Sequence, residues 1–166
     1  MPISQTQLAQ FLSETDYFES ISADDTATLA ALFEVRDLAV GETIFTEGSD
    51  GDAWYLILSG AVAITKSIPD APAHQLASLE EYEGFGEMSL LDSAPRMATA
   101  VTTAATTLAC MSRQTFQGLV EANSPAAFRL MQQMSSILCQ RLRETTWVLQ
   151  NICLLYTSPS PRDGTK

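Results

Sequence analysis

Residues 85–99 constrain the fold of this chain more than any other stretch. They open with a Gly-Glu pair, continue through a short apolar turn, and close with a Pro-Arg pair before strand-like sequence resumes. Residues 89–91 are too few for an independent helix, because an isolated helix needs about 12–15 residues to be even marginally stable in water. We therefore expect a single helical turn between strands, held in place by the packing of the surrounding fold.

The same stretch carries the residue types of a small anion site. The first turn of a helix leaves backbone N–H groups unpaired, so the amides of Gly86, Met88 and Ser89 are candidates to cradle an anion. The guanidinium of Arg96 supplies a positive charge whose fork geometry suits phosphate oxygens. A carboxylate beside an anion is unfavourable unless it accepts hydrogen bonds, so Glu87 indicates a hydroxyl donor. Together these residues suggest a ligand with one phosphate and one ribose hydroxyl.

The competing interpretation is that Glu87 and Arg96 form an ordinary surface ion pair, which contributes about 0–1 kcal/mol. Arg96 is the only Lys or Arg between Lys66 and Arg113, and its neighbourhood carries several acidic residues. This isolation weighs against an ordinary ion pair, although a structural role for the lone cation stays open.

Helical patterns flank a strand-like middle. Leu8, Phe11 and Leu12 recur at helical spacing near the N-terminus. Between residues 40 and 111 the pattern changes to short apolar runs separated by turn residues, which is typical of antiparallel strands. Residues 67–74 contain two prolines and are expected to form a loop.

Residues 85–91 and 95–99 closely resemble the phosphate-binding cassette of the cyclic nucleotide-binding domain family, and the glycine and aromatic pattern of residues 45–62 resembles the same family. That family includes protein kinase A regulatory subunits, cyclic nucleotide-gated channels and the bacterial catabolite activator protein. The resemblance implies that Glu87 takes the ribose 2′-hydroxyl and that Arg96 takes the cyclic phosphate. It also implies main-chain contacts from Gly86, Met88, Ser89 and Met97.

Two positions refine the comparison with the family. Relatives that prefer cyclic GMP tend to carry Thr or Ser directly after the arginine, so Met97 at that place favours cyclic AMP. Relatives usually turn into the cassette with a Gly-Asp or similar pair, whereas this chain has Tyr82 at the usual glycine. The turn before the cassette is therefore expected to be shifted rather than lost.

The predicted fold class is α+β: an antiparallel, jelly-roll-like β-roll of about eight strands with N-terminal helices and a C-terminal helix pair ending in a long helix. We divide the chain into an N-terminal helical segment at 1–36, the roll at 37–111 and C-terminal helices at 112–152. Residues 153–166 fit neither a helix nor a strand of this domain and read as a translated sequencing adapter. A disordered Ser/Pro terminus is the alternative. On the adapter interpretation, the natural chain is cut near residue 151.

The longest predicted helix begins at Ser124 and Pro125, which are typical cap and first-turn residues. Part of its apolar stripe is expected to cover the roll. A second seam, which suits pairing with another subunit, has the spacing 134-138-142-145-149. A single broad core-facing stripe is the alternative. In the resembling family this helix caps the nucleotide base, and in the activator it builds the dimer. Thr145 and Thr146 are therefore candidate base contacts, and a homodimer through residues 125–150 is expected.

The acidic composition disfavours several functions. A formal net charge of −11 opposes direct nucleic-acid binding, because that affinity depends on Lys and Arg. No run approaches the about 18 apolar residues of a membrane span, and no signal peptide is evident, so a cytoplasmic location is expected. Cys110 and Cys139 are expected to be buried thiols, and no His/Cys cluster suggests a metal or other cofactor. Without a nucleophile–base pair, we expect no enzymatic activity.

These observations predict a regulatory domain that binds a cyclic mononucleotide, cAMP or cGMP, and couples binding to movement of the C-terminal helix. Two alternatives remain. The chain is either the sensory half of a transcription regulator whose helix-turn-helix is missing, or an interaction module that kept the roll without the ligand.

Overall fold

The computed structural model describes residues 2–157, and the chain separates into two compact units, residues 1–133 and 134–166. The first unit opens with α1 (Gln5–Ser13), a short 3₁₀ turn (Asp16–Phe18) and α2 (Ala23–Ala30). Ser4 and Ser22 cap the two helices, since their side chains accept hydrogen bonds from backbone N–H groups of the first turn. These caps account for the positions at which the two short helices begin.

Eight antiparallel strands within the described residues form two four-stranded sheets. The strands are β1 (Glu34–Leu38), β2 (Thr43–Phe45), β3 (Ala53–Ser59), β4 (Val62–Ile68), β5 (Ala71–Leu79), β6 (Gly84–Phe85), β7 (Thr99–Thr102) and β8 (Thr106–Ser112). One sheet has the order β1-β8-β3-β6 and the other the order β2-β7-β4-β5. The predicted α+β fold with an eight-stranded antiparallel roll is confirmed.

The core of the roll is contributed by both sheets. Its buried members are Ala53, Tyr55, Ile57, Val62, Phe85, Ala100, Leu108 and Cys110. Strand β3 is buried on both faces. Successive side chains of a strand point to opposite sides, so neighbouring residues of β3 pack against different partners. Tyr55 therefore joins the core of the roll, whereas Trp54 lies against the ring of Tyr17 from the 3₁₀ turn, with the ring centroids 5.0 Å apart. This packing fixes the N-terminal helical segment on the strand that leads to the candidate site.

The predicted loop at residues 67–74 is wrong. Strands β4 and β5 continue through it and are joined by Pro69 and Asp70, so His74 lies within a strand and pairs with Lys66. Asp70 has a φ of 57°, a left-handed conformation that Asp adopts more readily than most residues. The prolines therefore mark the turn and the start of β5 and do not break the hairpin.

The turn before residue 85 keeps its left-handed residue without a glycine. Tyr82 has a φ of 73°, and its ring stacks on Phe11 of α1 with the centroids 4.4 Å apart. Its hydroxyl donates to a carboxylate oxygen of Glu14 at 3.1 Å. Contacts from α1 thus hold a conformation that costs a non-glycine residue about 1–2 kcal/mol.

The helices after the roll are α3 (Met88–Leu91), which lies between β6 and β7, then α4 (Arg113–Glu121) and α5 (Pro125–Thr157). Helix α5 has 33 residues and runs past residue 152, where the sequence analysis expected no regular structure. Residues 152–157 contain no Gly or Pro, so nothing there interrupts the helical backbone. The remainder of the expected adapter-derived tail, residues 158–166, lies outside the described residues.

Along α5, the side chains of Ala126, Ala127 and Leu130 are buried. Large apolar side chains are exposed farther along the helix, at Leu142, Trp147, Val148, Leu149, Ile152, Leu154, Leu155 and Tyr156. Cys110 is buried as predicted, but Cys139 is exposed, because it lies on a solvent-facing side of α5. None of the helices described between residues 2 and 157 is both long and apolar enough to cross a bilayer.

Candidate ligand-binding site

The two halves of the predicted anion site come from separate segments that the roll brings together. Strand β6 pairs with β3 and delivers the Gly86-Glu87 turn, from which α3 begins. Arg96 precedes β7 and is anchored through its backbone to a preceding loop. Its N–H donates to the carbonyl of Ser49, and its carbonyl accepts from the N–H of Gly48, both at 2.8 Å. These two backbone hydrogen bonds hold Arg96 in position independently of its side-chain contacts.

The side chain of Arg96 is only 6% exposed and points to the Gly-Glu turn. Its Nη1 donates to the carbonyl oxygen of Gly86 at 3.2 Å, and its Nη2 donates to the carbonyl oxygen of Ala53 at 2.7 Å. The guanidinium carbon lies 4.0 Å from the ring centroid of Phe45, a cation–π distance. Arg96 thus bridges β3 and the turn, and it is not a surface residue.

The guanidinium of Arg96 is a buried cation whose surroundings shift its pKa. Burial is the main cause that lowers the pKa of Arg96, and the nearby charge of Arg113 acts in the same direction. The carboxylate of Asp52 lies 3.8 Å away but is 86% exposed, so water screens it. The Nε of Arg96 is buried without a hydrogen-bond partner among the described residues. Arg96 is thus a buried cation with one N–H donor that no described group accepts.

Glu87 and Ser89 are also buried, at 3% and 4% exposed. Both residues lie at the Gly-Glu turn that the guanidinium of Arg96 contacts, and the charge of Glu87 partly opposes the lowering of the Arg96 pKa by burial. The amide of Ser89, predicted to face the ligand, donates to the carbonyl of Gly86 at 3.2 Å. Its role as an anion donor stays a prediction.

Gly86 is required by the guanidinium in this structure. Its φ is 77°, and a Cβ built on it would lie 2.6 Å from Nη1 of Arg96. Because glycine has no Cβ, it lets a ligand approach the main chain closely. The nearest neighbour is instead the arginine that is expected to hold that ligand.

Met88 and Met97, at 44% and 64% exposed, lie at the edge of the site. The carbonyl of Met97 accepts a hydrogen bond from Nζ of Lys66 at 2.8 Å, and the same Nζ lies 2.6 Å from a carboxylate oxygen of Glu47. The hydrogen bond from Lys66 lowers the pKa of Glu47, with a further contribution from the backbone N–H of Ser67. Glu47 and Lys66 thus tie the residue after Arg96 to strand β4.

The sequence analysis missed two contributors, Arg113 and Gly51. Nε of Arg113 donates to the carbonyl of Ser89 at 2.6 Å, although α4 is distant from the cassette in sequence. A Cβ on Gly51 would collide with the hydroxyl of Ser89. The only sequence signal for Arg113 was its place as the next cation after Arg96, and Gly51 belonged to the family-like glycine pattern of residues 45–62 without a role at the site.

Thr145 and Thr146 lie in α5, within the second unit, and both are exposed. The hydroxyl of Thr145 donates to the carbonyl of Arg141 at 3.0 Å, a contact within the helix. Their proposed contact with a nucleotide base stays a prediction.

An antiparallel roll in which a Gly-Glu turn meets a buried arginine defines a regulatory ligand-binding domain of the cyclic nucleotide type. The family model for the cyclic nucleotide-binding domain matches residues 35–123, more than half of the chain. The chain therefore belongs to the cyclic nucleotide-binding domain family.

Individual relatives agree with this assignment. The "CRP-like cAMP-activated global transcriptional regulator" of Mycobacterium tuberculosis is 29% identical over 136 residues, which cover 82% of this chain and 59% of the relative. The cAMP-dependent protein kinase regulatory subunit of Mycosarcoma maydis is 28% identical over 82% of this chain and 25% of its own length. The crystal structure of a cyclic nucleotide-binding domain from Methylobacillus flagellatus superposes with a TM-score of 0.75 at 25% identity, covering 95% of this chain and 86% of that chain. This chain thus spans less than two thirds of the length of both curated relatives.

Proposed function

We propose that this domain binds a cyclic mononucleotide, cyclic AMP in preference to cyclic GMP, and uses it to regulate an output. The observation that carries the proposal is the buried guanidinium of Arg96, held by two carbonyls beside the Gly-Glu turn and retaining an unpartnered Nε. The cyclic phosphate would accept a hydrogen bond from that Nε and bring a negative charge next to the buried cation, so binding would offset part of the desolvation of both groups.

The other polar groups have assigned parts in this proposal. The buried carboxylate of Glu87 would accept a hydrogen bond from the ribose 2′-hydroxyl, which makes a carboxylate tolerable next to a phosphate. Amides of Gly86, Met88, Ser89 and Met97 would add main-chain donors. The preference for cyclic AMP rests on Met97, whose side chain offers no hydroxyl to a guanine base.

Helix α5 is the proposed output element. Ligand capture would stabilise one arrangement of the cassette, and α5 would respond only if the ligand binds that arrangement more tightly than the alternative. The exposed apolar side chains of α5, among them Leu142 and Leu149, support a homodimer through this helix. Thr145 and Thr146 would contact the base. A cytoplasmic, non-enzymatic role agrees with the regulatory names of the relatives.

A second candidate is the sensory part of a transcription regulator. The chain spans 59% of the length of the Mycobacterium tuberculosis regulator, and its own charge is −11. Any DNA-binding surface would therefore belong to sequence beyond this piece. Reading the genomic sequence past codon 151 tests this candidate directly.

Titration calorimetry with cyclic AMP and cyclic GMP tests the main proposal. We expect saturable heat with both nucleotides and tighter binding of cyclic AMP. The Arg96→Ala variant should bind about 2–4 kcal/mol more weakly, because a buried charged partner of the phosphate is lost.

Arg36→Ala is the matched control, since Arg36 lies on β1 and pairs with the exposed Glu34. It removes the same charge and should leave the affinity unchanged. Absence of heat with either nucleotide at high protein concentration would instead favour the ligand-free interaction module.

A further inference from the structure

The side chain of Arg113 makes hydrogen bonds to α3, which we call the cassette helix because it lies within the cassette-like residues 85–99. Its Nε donates to the carbonyl of Ser89 at 2.6 Å, and its Nη2 donates to the carbonyl of Asp92 at 3.1 Å. Ser89 lies within α3, and Asp92 is the residue that ends it. One planar guanidinium from α4 thus spans the C-terminal end of the cassette helix.

These contacts matter because α3 has only four residues. The last carbonyls of any helix lack partners within the helix, and so short a helix has almost no internal hydrogen bonds to stabilise it. Ser89 is buried, so water has little access to its carbonyl oxygen. Arg113 supplies the hydrogen bond that water would otherwise have to make. A guanidinium at this end also has the charge that a helix C-terminus favours.

The backbone of Arg113 connects the same region to the arginine of the site. Its N–H donates to the carbonyl of Asp52 at 2.8 Å, and the next residue, Ala53, accepts from Nη2 of Arg96 at 2.7 Å. The two arginines are therefore anchored on adjacent residues at the start of β3. A displacement of α3 relative to β3 would change the distance between the Gly-Glu turn and Arg96.

We propose that Arg113 is a positioning residue of the nucleotide site, which fixes α3 and the preceding turn at the separation from Arg96 that ligand binding requires. This inference rests on the proposed function. It assigns Arg113 no contact with the nucleotide. The two-carbonyl geometry needs a fork of donors, which lysine does not have, so charge alone should not replace arginine here.

The test compares Arg113→Lys and Arg113→Gln with Arg36→Gln, by calorimetry with cyclic AMP and by amide hydrogen exchange without nucleotide. We expect both Arg113 variants to bind cyclic AMP at least about tenfold more weakly, which corresponds to about 1.4 kcal/mol. We also expect the amides of Leu90 and Asp92, which bond within α3, to exchange at least about tenfold faster. Arg36→Gln should change neither quantity. If Arg113→Gln does not fold, Arg113→Lys carries the test.

Each outcome separates the inference from the proposed function. Wild-type affinity in both Arg113 variants overturns the inference and leaves the proposed function intact. Full affinity in Arg113→Lys alone also overturns it, because charge would then suffice. If the wild-type protein binds neither cyclic nucleotide, the proposed function fails, and the role of Arg113 in nucleotide binding fails with it. Hydrogen exchange then decides separately whether Arg113 fixes α3.

Discussion

Arg96 has two roles that belong to different states of the protein. In this structure its guanidinium links the carbonyls of Ala53 and Gly86 and stacks on Phe45, so it contributes to the packing of the roll. In the proposed complex its remaining donor and its charge serve the phosphate. A substitution of Arg96 is therefore expected to lower both stability and affinity, and the two effects have to be measured separately.

Gly86→Ala is expected to damage the site more than the fold. The new Cβ would meet Nη1 of Arg96 at 2.6 Å and displace the guanidinium, while the φ of 77° adds about 1–2 kcal/mol of backbone strain. Calorimetry should give at least about tenfold weaker binding of cyclic AMP.

Gly41→Ala is the matched control for that variant. Gly41 has a φ of 82°, and a Cβ there would meet nothing within 4 Å, so it imposes the same strain without the clash. Urea denaturation should show Gly86→Ala to be the less stable of the two, because the displaced guanidinium also loses contacts with the roll. Equal nucleotide affinities would contradict the role assigned to the guanidinium next to Gly86.

At the scale of elements, the turn between β5 and β6 depends on the side chain of Tyr82. Tyr82 has the left-handed conformation. Its ring stacks on Phe11 of α1, and its hydroxyl donates to Glu14, the residue that follows α1. The N-terminal helix thereby stabilises the segment that leads into the cassette. Tyrosine is more strained than glycine in this conformation, but its side chain connects α1 to the turn before β6.

Substitutions of Tyr82 separate strain from stacking. Tyr82→Ala loses the stack on Phe11 and keeps the strain, whereas Tyr82→Gly loses the stack and relieves the strain of about 1–2 kcal/mol. Part of that relief is offset by about 0.4–1 kcal/mol of extra chain entropy in the unfolded glycine variant. We therefore expect Tyr82→Gly to be more stable than Tyr82→Ala by about 0.5–1 kcal/mol in urea denaturation.

Tyr82→Phe is the control for the hydroxyl. It removes only an exposed hydrogen bond to Glu14 and should cost under about 1 kcal/mol. An alanine variant as stable as the glycine variant would mean that the turn relaxes out of the left-handed conformation.

The elements predictable from sequence are those with local signals. The short apolar runs predicted the strands, and Ser124 marked the start of the longest helix, where its side chain accepts a hydrogen bond from the N–H of Ala127. The loop expected at residues 67–74 is wrong because Pro69 lies in the turn and Pro72 lies in β5, an edge strand where proline is tolerated. Arg113 and Gly51 act through contacts with Ser89 that are remote in sequence, and no local pattern encodes those contacts.

At the scale of the whole molecule, the exposed apolar side chains of α5 lead to an expectation about assembly. Leu142 and Leu149 are 66% and 57% exposed, and they lie on the seam expected to pair with a second copy. We expect the wild-type protein to sediment as a dimer in analytical ultracentrifugation, and a variant with Leu142→Glu and Leu149→Glu to sediment as a monomer.

The control for the dimer carries two new charges elsewhere on α5. Gln140→Glu and Gln150→Glu are both at exposed positions off that seam, so this variant should remain dimeric. A wild-type protein that sediments as a monomer at all concentrations would remove the homodimer from the proposed function.

The pairing of the first and last strands has a further consequence. Because β1 lies antiparallel to β8, Glu34 stands opposite Cys110, so the polypeptide enters and leaves the roll at neighbouring points on one edge. A domain whose two ends lie close together can be inserted into a longer protein at one position without distorting that protein. The relatives fit this modular reuse, since a similar segment makes up 59% of one regulator and 25% of a kinase subunit.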